Sequence, residues 1–318
     1  MGERPGMQLI NPVRSSAPVS NANWEASALS WEYHKAANPN LPAVPIRAFP
    51  ASLHQTGETA IVPLDLSADL NTPYLATTPN LLANYISITP GKTIRSLATS
   101  SSEVFYVMRG SGRTETDYGT IQWTAGDSFT LPTNSGAIHT AETDSALYWV
   151  HDAPMLAYLG VLPSAPRFKP AFYSGESLNG EISRIREEGI RRGLNRNGII
   201  LGNAESAETR TVTHTMWSLY NLVPPQSAQK PHRHNSVALD LGVFAKGNTY
   251  TLIGSRLDEE GNIINPVNMM WETHGVFVTP PGLWHSHHNE SDEDAFVFPV
   301  QDAGMQTYMR TLDIQFAK

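Results

Sequence analysis

Apolar residues occur along this chain in short runs that are rich in β-branched and aromatic side chains. Examples are residues 104–108, 250–253 and 296–298. Turn-forming residues separate these runs, and the 23 glycines and 23 prolines supply many of the breaks. Runs of this length and composition are typical of strands. The pattern therefore predicts an all-β protein built from antiparallel barrels.

Three ordered matches indicate that the second half of the chain repeats the first. Residues 80–91 align with 215–226, Trp123 and 128–132 with Trp271 and 276–280, and 152–158 with 302–308. The offset grows from 135 to 150 residues because the second copy has a longer loop around residues 257–268. An internal duplication of this kind predicts two tandem barrels.

The repeat sets the predicted domain boundaries. We expect an N-terminal arm at residues 1–72, a first barrel at 73–170, a connector at 171–206 and a second barrel at 207–318. Within the connector, the apolar residues of 181–194 have the spacing of a short helix; they are Ile182, Ile185, Ile190 and Leu194. Gly189 and Gly193 interrupt this pattern.

Composition narrows the classes of protein and the kinds of site. The net charge of −8, from 22 basic and 30 acidic residues without a basic block, argues against a nucleic-acid partner. The absence of cysteine excludes disulfides, iron–sulfur clusters and thiol nucleophiles, and leaves histidine and carboxylate as the strong metal ligands. Residues 1–20 have no signal-peptide core, and no apolar run approaches the roughly 20 residues that span a bilayer. We expect a cytoplasmic protein without membrane contact.

Two histidine motifs carry the candidate chemistry. His232 and His234 lie two apart in the run 231–234, and His285 follows the turn of 280–284. Residues two apart on a strand face the same side, so this pair can point at one place, and His285 can approach it from a neighbouring strand. Three imidazoles suit Fe, Zn, Cu or Ni and leave coordination positions open. The motifs therefore predict a metal site that does chemistry.

Only the second copy has these ligands. Superposing the repeats sets His232 and His234 on Leu97 and Thr99, and His285 on Ala137. His287 falls on His139, which we predict to be a surface or barrel-mouth residue. The first barrel is expected to be metal-free.

The duplicated barrels, the strand 231–234 and the turn 279–287 together resemble the bicupin ring-cleaving dioxygenases. These are gentisate 1,2-dioxygenase and its relatives acting on salicylate, 1-hydroxy-2-naphthoate and hydroquinone. The likeness runs from about residue 73 to residue 314 and includes 76–79 followed by 88–91. It implies two tandem cupin (jelly-roll) barrels with a short helical connector, and a homodimer or homotetramer.

The resemblance also implies a cofactor and a substrate. His232, His234 and His285 would ligate Fe(II), with Mn, Zn or Ni as other possible ions. A small aromatic molecule and O2 would be the substrates. His287 would be an acid or base beside the metal, and Trp217 would lie beside the substrate.

Other positions depart from the family or replace its residues. Asn221 stands where the family often has a pocket glutamine. Asp240 stands where it commonly has an arginine that binds the substrate carboxylate, and a carboxylate there would repel that group. Ala238 matches a glutamate ligand of the hydroquinone dioxygenases. The missing positive charge can come from one of four arginines, which are Arg191, Arg192, Arg196 and Arg210.

Three functions remain open at this stage. The first is an extradiol-type Fe(II) dioxygenase that opens a gentisate-, salicylate- or hydroquinone-like ring. The second is an oxygen-independent metal-dependent isomerase, decarboxylase or lyase. The third is a non-catalytic bicupin that binds a small ligand and holds a structural metal, for which Glu290 or Asp292 would have to supply the fourth ligand that structural sites normally have.

Overall fold

The computed structural model describes residues 24–194 and 196–317. The prediction made for residues 1–20 lies outside these ranges. The described part divides into two compact units with a boundary after Leu41. The first unit contains a 3-10 helix at Glu25–Ser27 and helix α1 at Tyr33–Ala36. None of the helices in the described ranges is both long and apolar enough to cross a membrane.

The second unit begins with eleven strands that belong mainly to the first repeat. They are β1 (Ala48–Phe49), β2 (Ala60–Pro63), β3 (Leu82–Ile88), β4 (Thr93–Ser96), β5 (Ser102–Arg109), β6 (Ser111–Thr116), β7 (Gly119–Thr124), β8 (Ser128–Pro132), β9 (Ala137–Ala141), β10 (Ser145–His151) and β11 (Ala171–Tyr173). Two sheets, in the orders β11-β8-β5-β10-β3-β2 and β4-β9-β6-β7, form the first barrel.

Eleven further strands follow in the second repeat. They are β12 (Asn197–Leu201), β13 (Trp217–Val223), β14 (Ser227–Ala228), β15 (His232–His234), β16 (Ala238–Phe244), β17 (Thr249–Gly254), β18 (Val267–Met270), β19 (Val276–Thr279), β20 (Trp284–Asn289), β21 (Ala295–Gln301) and β22 (Ile314–Phe316). Their sheets have the orders β1-β19-β16-β21-β13-β12 and β18-β17-β20-β15-β22, with β14 beside β20. The ladders of the described residues are antiparallel, as the alternation of short runs predicts.

Four α-helices belong to the described part of this unit, namely α2 (Ser67–Leu70), α3 (Ala153–Leu159), α4 (Gly175–Arg192) and α5 (Ala303–Met309), and there are 3-10 helices at Ala51–His54 and Ala204–Ser206. Helix α4 is the predicted connector helix, but it begins earlier, at Gly175, where Ser174 caps it by accepting the Ser177 N–H at 3.1 Å. Gly189 fits inside the helix because a side chain there would overlap Asn197. Gly193, with a φ of 64°, ends it in the left-handed conformation.

The segments predicted as arm and connector contribute edge strands to the barrels. Strand β1 pairs with β19 of the second barrel, with Ala48 opposite Phe277, and β2 pairs with β3 of the first. Strand β12 pairs with β13.

The two six-stranded sheets share an apolar core between the barrels. Tyr106 and Phe298 lie there with ring centroids 4.8 Å apart, and the Tyr148 hydroxyl donates to the Leu239 carbonyl at 3.3 Å. Strands β3 and β10 are buried at every position because their other face lines the first barrel. Most positions in both runs are therefore apolar, and the polar residues among them, such as Asn84 and His151, are buried as well.

Two aspartates link the barrels reciprocally. Asp152 precedes α3 and accepts the Thr215 hydroxyl of the second repeat at 2.9 Å. Asp302 precedes α5 and accepts the Asn80 amide of the first repeat at 2.7 Å. Each carboxylate also accepts a backbone N–H from its own barrel. Each barrel is therefore held to the other by a hydrogen bond to a buried aspartate.

Candidate metal centre

The predicted histidine triad comes together in the second barrel. His232 on β15 lies directly opposite His285 on β20, and His234 follows on the same face of β15. One nitrogen from each ring lies within 4.8 Å of the other two, which is a spacing that one metal ion can bridge. The alternation of side chains along β15 and the pairing of the two strands produce this convergence.

Hydrogen bonds hold two of the three imidazole rings in orientations that leave a nitrogen lone pair free for a metal ion. His234 Nδ1 lies 2.9 Å from the Ser236 carbonyl, and His285 Nδ1 lies 3.2 Å from the Leu283 carbonyl. A carbonyl only accepts, so both Nδ1 atoms carry the proton and both Nε2 atoms are unprotonated. His232 Nδ1 is buried without a hydrogen-bond partner among the described residues.

Electrostatics keep the three rings neutral. Burial lowers the pKa of all three histidines. For His232 and His285, neighbouring histidines and the Arg196 guanidinium lower the pKa further. Neutral, buried imidazoles with free electron pairs are the donors that Fe, Zn, Cu and Ni take. The residues present therefore fit such an ion.

The described residues offer no fourth ligand to this group. Glu290 accepts the Tyr250 hydroxyl at 2.7 Å, and Asp292 lies 3.5 Å from the Lys246 ammonium. Neither carboxylate therefore belongs to the triad. Three protein ligands leave the remaining coordination positions to small molecules, as in catalytic sites.

The triad opens into a cavity of about 280 Å³. Every other site residue predicted from the sequence lines the same cavity, namely Trp217, Asn221, Asp240 and His287. These residues come from β13, β16 and β20, so the sheets of both sides of the barrel contribute.

His287 is held beside the triad by a buried network. Its Nδ1 lies 2.8 Å from the Thr251 hydroxyl, which also accepts the Trp271 indole N–H at 2.7 Å. The His287 and His285 ring centroids are 5.9 Å apart. Burial lowers the pKa of His287 to about 3, so the ring is neutral at pH 7. No hydrogen bond reaches its Nε2 from the described residues, and this atom is available to the cavity.

The first barrel repeats this network without a metal triad. His139 Nδ1 lies 2.8 Å from the Thr114 hydroxyl, which accepts the Trp123 indole N–H at 2.8 Å. In contrast to the surface or barrel-mouth position predicted from the sequence, His139 is completely buried. The prediction was wrong because the network, and Ser96 at 2.9 Å from Nε2, satisfy both ring nitrogens in the barrel interior.

The register of the ligand positions also needs correction. Ser96 lies opposite Ala137 in the way that His232 lies opposite His285. The residues at the three ligand positions of the first barrel are therefore Ser96, Ala98 and Ala137, whereas the sequence alignment gave Leu97, Thr99 and Ala137. None of them is a metal ligand of the imidazole type, and the described part of the first barrel has no comparable group.

Three lining residues differ in how firmly they are held. The Trp217 indole N–H donates to the Arg210 carbonyl at 2.8 Å. Asn221 lies opposite Gly198, where any side chain would overlap the Asn221 amide oxygen. Asp240 is 3% exposed and accepts the Thr279 hydroxyl at 2.6 Å, and burial raises the pKa of its carboxyl to about 7.

The structure selects one of the four candidate arginines. Arg196 lines the cavity, where its guanidinium donates to the Gln229 amide oxygen at 3.1 Å and lies 5.3 Å from the Phe316 ring centroid. Burial lowers its pKa to about 10, so it stays charged at pH 7. Arg191, Arg192 and Arg210 do not line the cavity.

Gln301 is a lining residue that sequence reasoning missed. Its amide oxygen accepts the Ser236 hydroxyl at 2.9 Å, and Ser236 also contacts His234 Nδ1 at 3.0 Å. This bond fixes the amide so that its NH2 group is left for the cavity. Gln301 lies directly before Asp302, the first residue of the aligned segment 302–308, and this position could have identified it from the sequence.

Comparisons with known proteins bear on the fold. The sequence matches no protein-family model and no curated protein sequence. Among solved structures, it is similar to a variant salicylate 1,2-dioxygenase from Pseudoaminobacter salicylatoxidans in complex with gentisate, with a TM-score of 0.71, 12% identity and 98% of each chain covered. A second structure of this enzyme has a TM-score of 0.70, at 12% identity over 95% of this chain and 100% of the other.

A third similar structure is procruciferin, an 11S globulin from Brassica napus. It has a TM-score of 0.56 and 11% identity, over 86% of this chain and 87% of the other. Identities this low establish the fold alone, since one fold hosts many functions. The chain therefore has the fold of two tandem cupin jelly-roll barrels, as predicted from its sequence.

Proposed function

We propose that this protein is a non-haem Fe(II) dioxygenase that opens the ring of a hydroxylated aromatic compound with O2. The observation that carries the proposal is the open triad of neutral histidines at the base of the 280 Å³ cavity. Iron bound by these residues would supply the activation of O2, which the protein's own side chains cannot perform.

The solved neighbours support this choice of chemistry. Two of the similar structures are salicylate 1,2-dioxygenases, and one of those was determined with gentisate. The size of the cavity suits a single-ring molecule of that kind. We infer an extradiol-type ring cleavage for the present chain on the same grounds.

Arg196 and Gln301 are proposed to orient the substrate. A buried guanidinium that stays charged is suited to a carboxylate, and Arg196 is the arginine that lines this cavity. The free NH2 group of Gln301 can donate to a second oxygen of the ring. Together they favour a hydroxylated aromatic acid whose carboxylate lies toward β12 and whose hydroxyl lies toward the triad.

The protonation state of Asp240 determines whether the cavity accepts a negatively charged substrate. A charged carboxylate at this position would repel an aromatic acid, whereas the protonated form can donate a hydrogen bond to it. Because burial raises the pKa of Asp240 to about 7, the two forms are comparably populated at neutral pH. The repulsion predicted from the sequence is therefore expected only above this pH.

Trp217, Asn221 and His287 are proposed to complete the pocket. Trp217 presents a large aromatic side chain that can pack against the substrate ring. Asn221 can hydrogen-bond a ring substituent. His287, neutral and with Nε2 free, can donate a hydrogen bond to the substrate or accept one from it at that atom, depending on the tautomer.

Oxygen uptake by protein reconstituted anaerobically with Fe(II) tests the proposal. The substrates would be gentisate, salicylates, 1-hydroxy-2-naphthoate, aminophenols and hydroquinones. We expect uptake that matches the loss of aromatic absorbance for at least one aromatic acid. His285→Ala should abolish both metal binding and uptake. His288→Ala is the matched control, since this ring stacks on Tyr250 away from the triad, with centroids 4.9 Å apart.

Two results would favour the alternatives. Turnover of a substrate without O2 by the Zn, Mn or Ni form would indicate an isomerase, decarboxylase or lyase. Stoichiometric metal and ligand binding with no turnover of any kind would indicate a binding protein. Retained uptake by His285→Ala would rule out the triad as the reaction site.

A further inference from the structure

A second cavity, of about 720 Å³, lies at the mouth of the first barrel. It occupies the position that the metal cavity has in the second barrel. In the first barrel His151 lies opposite Leu82, just as Gln301 lies opposite Trp217 in the second barrel. Ala98 occupies the position that His234 has in the second barrel, so the first barrel has open space where the second has metal-binding side chains. A cavity of this volume is in the range of small-molecule sites.

Two polar side chains at the base of this cavity have unused hydrogen-bonding capacity. Asn84 is 3% and His151 is 4% exposed. His151 Nδ1 accepts the Ala153 N–H at 3.3 Å, so the ring proton is on Nε2. The Asn84 NH2 group donates to the Trp149 carbonyl at 3.4 Å, which leaves its Oδ1 free. Within the described ranges, no partner is found for His151 Nε2 or Asn84 Oδ1.

The other walls are mainly aromatic and aliphatic, although Arg95 and Thr99 also line the cavity. The Trp149 ring lies 4.6 Å from the His151 ring, and its indole N–H donates to the Glu103 carboxyl at 2.8 Å, which holds the ring in place. Leu97 and Leu162 line the cavity as well. Burial lowers the pKa of His151 to about 3, so its ring carries no charge at neutral pH.

We propose that the first barrel binds an uncharged aromatic molecule that carries a hydroxyl group. The hydroxyl accepts from His151 Nε2 and donates to Asn84 Oδ1, and a hydroxyl is the group that complements a donor and an acceptor together. The ring packs against Trp149 and the leucines. This site shares no residue with the metal cavity, and the proposal does not rest on the proposed ring cleavage.

Calorimetric titration of 2-naphthol into the full-length His285→Ala protein tests this site separately from the metal. We expect saturable binding of one molecule per chain. His151→Phe keeps a ring but removes the donor, and it should weaken binding about tenfold, as the loss of one hydrogen bond predicts. Naphthalene should bind more weakly than 2-naphthol and with equal affinity to both proteins.

A cavity-filling substitution supplies the second comparison. Ala157 lines the cavity from α3, and Ala157→Trp should abolish binding. Leu159→Trp, on the same helix but outside the lining, should bind normally. The proposal is overturned by the absence of saturable binding, or by binding that survives both Ala157→Trp and His151→Phe. It is also overturned if Ala157→Trp dissociates an oligomer, because the cavity would then be an interface between copies of the chain.

Discussion

Replacing Asp240 by Asn should change how the stability of the metal-free protein depends on pH. Asp240 is 3% exposed, and burial raises the pKa of its carboxyl from 3.8 to about 7. In the unfolded chain the group loses its proton near its ordinary pKa. Between these two pH values the folded state therefore holds a proton that the unfolded state has released, and stability falls as the pH rises.

The size of the effect follows from the displacement of the pKa. One pKa unit corresponds to about 1.4 kcal/mol, so full ionisation of Asp240 in the folded protein costs about 4 kcal/mol. Asn cannot ionise, but its Oδ1 can still accept the hydroxyl of Thr279. Asp240→Asn should therefore gain about 2–3 kcal/mol relative to the wild type between pH 5 and pH 7, and little more above pH 8.

Urea denaturation of both proteins in the presence of a chelator measures this difference. Buried histidines with lowered pKa values make both proteins more stable as the pH rises through the ordinary histidine range, and this opposing trend cancels in the comparison. Glu103, another buried carboxyl whose pKa is raised to about 7, is present in both and also cancels. A difference in free energy of unfolding that stays constant from pH 5 to pH 8 would refute the reasoning.

Three further substitutions give measurable outcomes. Arg196→Met should raise the KM for carboxylated substrates about 10- to 100-fold, because one charge-assisted hydrogen bond to the carboxylate is lost. The KM for uncharged hydroquinones should stay unchanged. Equal effects on both classes of substrate in steady-state kinetics would contradict the assignment. Gly198→Ala should displace the Asn221 amide, whose flexible end can move, so substrate affinity should fall while the free energy of unfolding changes by less than about 1 kcal/mol. Asp152→Asn should cost about 2–3 kcal/mol, because the hydroxyls of Ser101 and Thr215 would lose a charged acceptor. Urea denaturation measures this, and no loss of stability would show that the contact between the barrels is dispensable.

The histidine triad could be predicted because one local rule and two recognisable motifs determine it. Side chains alternate along β15, which places His232 and His234 on one face, and this rule is visible in the sequence. The approach of His285 depends on the pairing of β15 with β20, which are far apart in the chain, and it was inferred from the second histidine motif. Arg196 could not be chosen from spacing, because it enters the cavity from the segment just before β12, and only the pairing of β12 with β13 brings that segment to the barrel.

The alignment of the two repeats failed by one residue for a physical reason. In the second copy an extra residue lies between β14 and β15, because Ala228 is opposite His288 and His232 is opposite His285, whereas β4 and β9 of the first copy pair without interruption. A constant offset carried forward from the strand before it therefore reached Leu97 and not Ser96. The burial of His139 was missed for a related reason, since its hydrogen-bond partners Thr114 and Ser96 lie on other strands.

The pairing of β1 with β19 has a consequence for how the protein is made. Strand β1 precedes the entire first barrel in the chain, yet it forms the edge of the second barrel's sheet. During synthesis it must wait for nearly all of the chain to emerge before its partner exists, and contacts between such distant residues form slowly. A fragment containing only the second repeat would leave the edge of β19, with Val276 and Phe277, without its neighbour and open to pairing with other chains. The metal-binding half is thus expected to depend on a strand that lies before the first barrel in the chain.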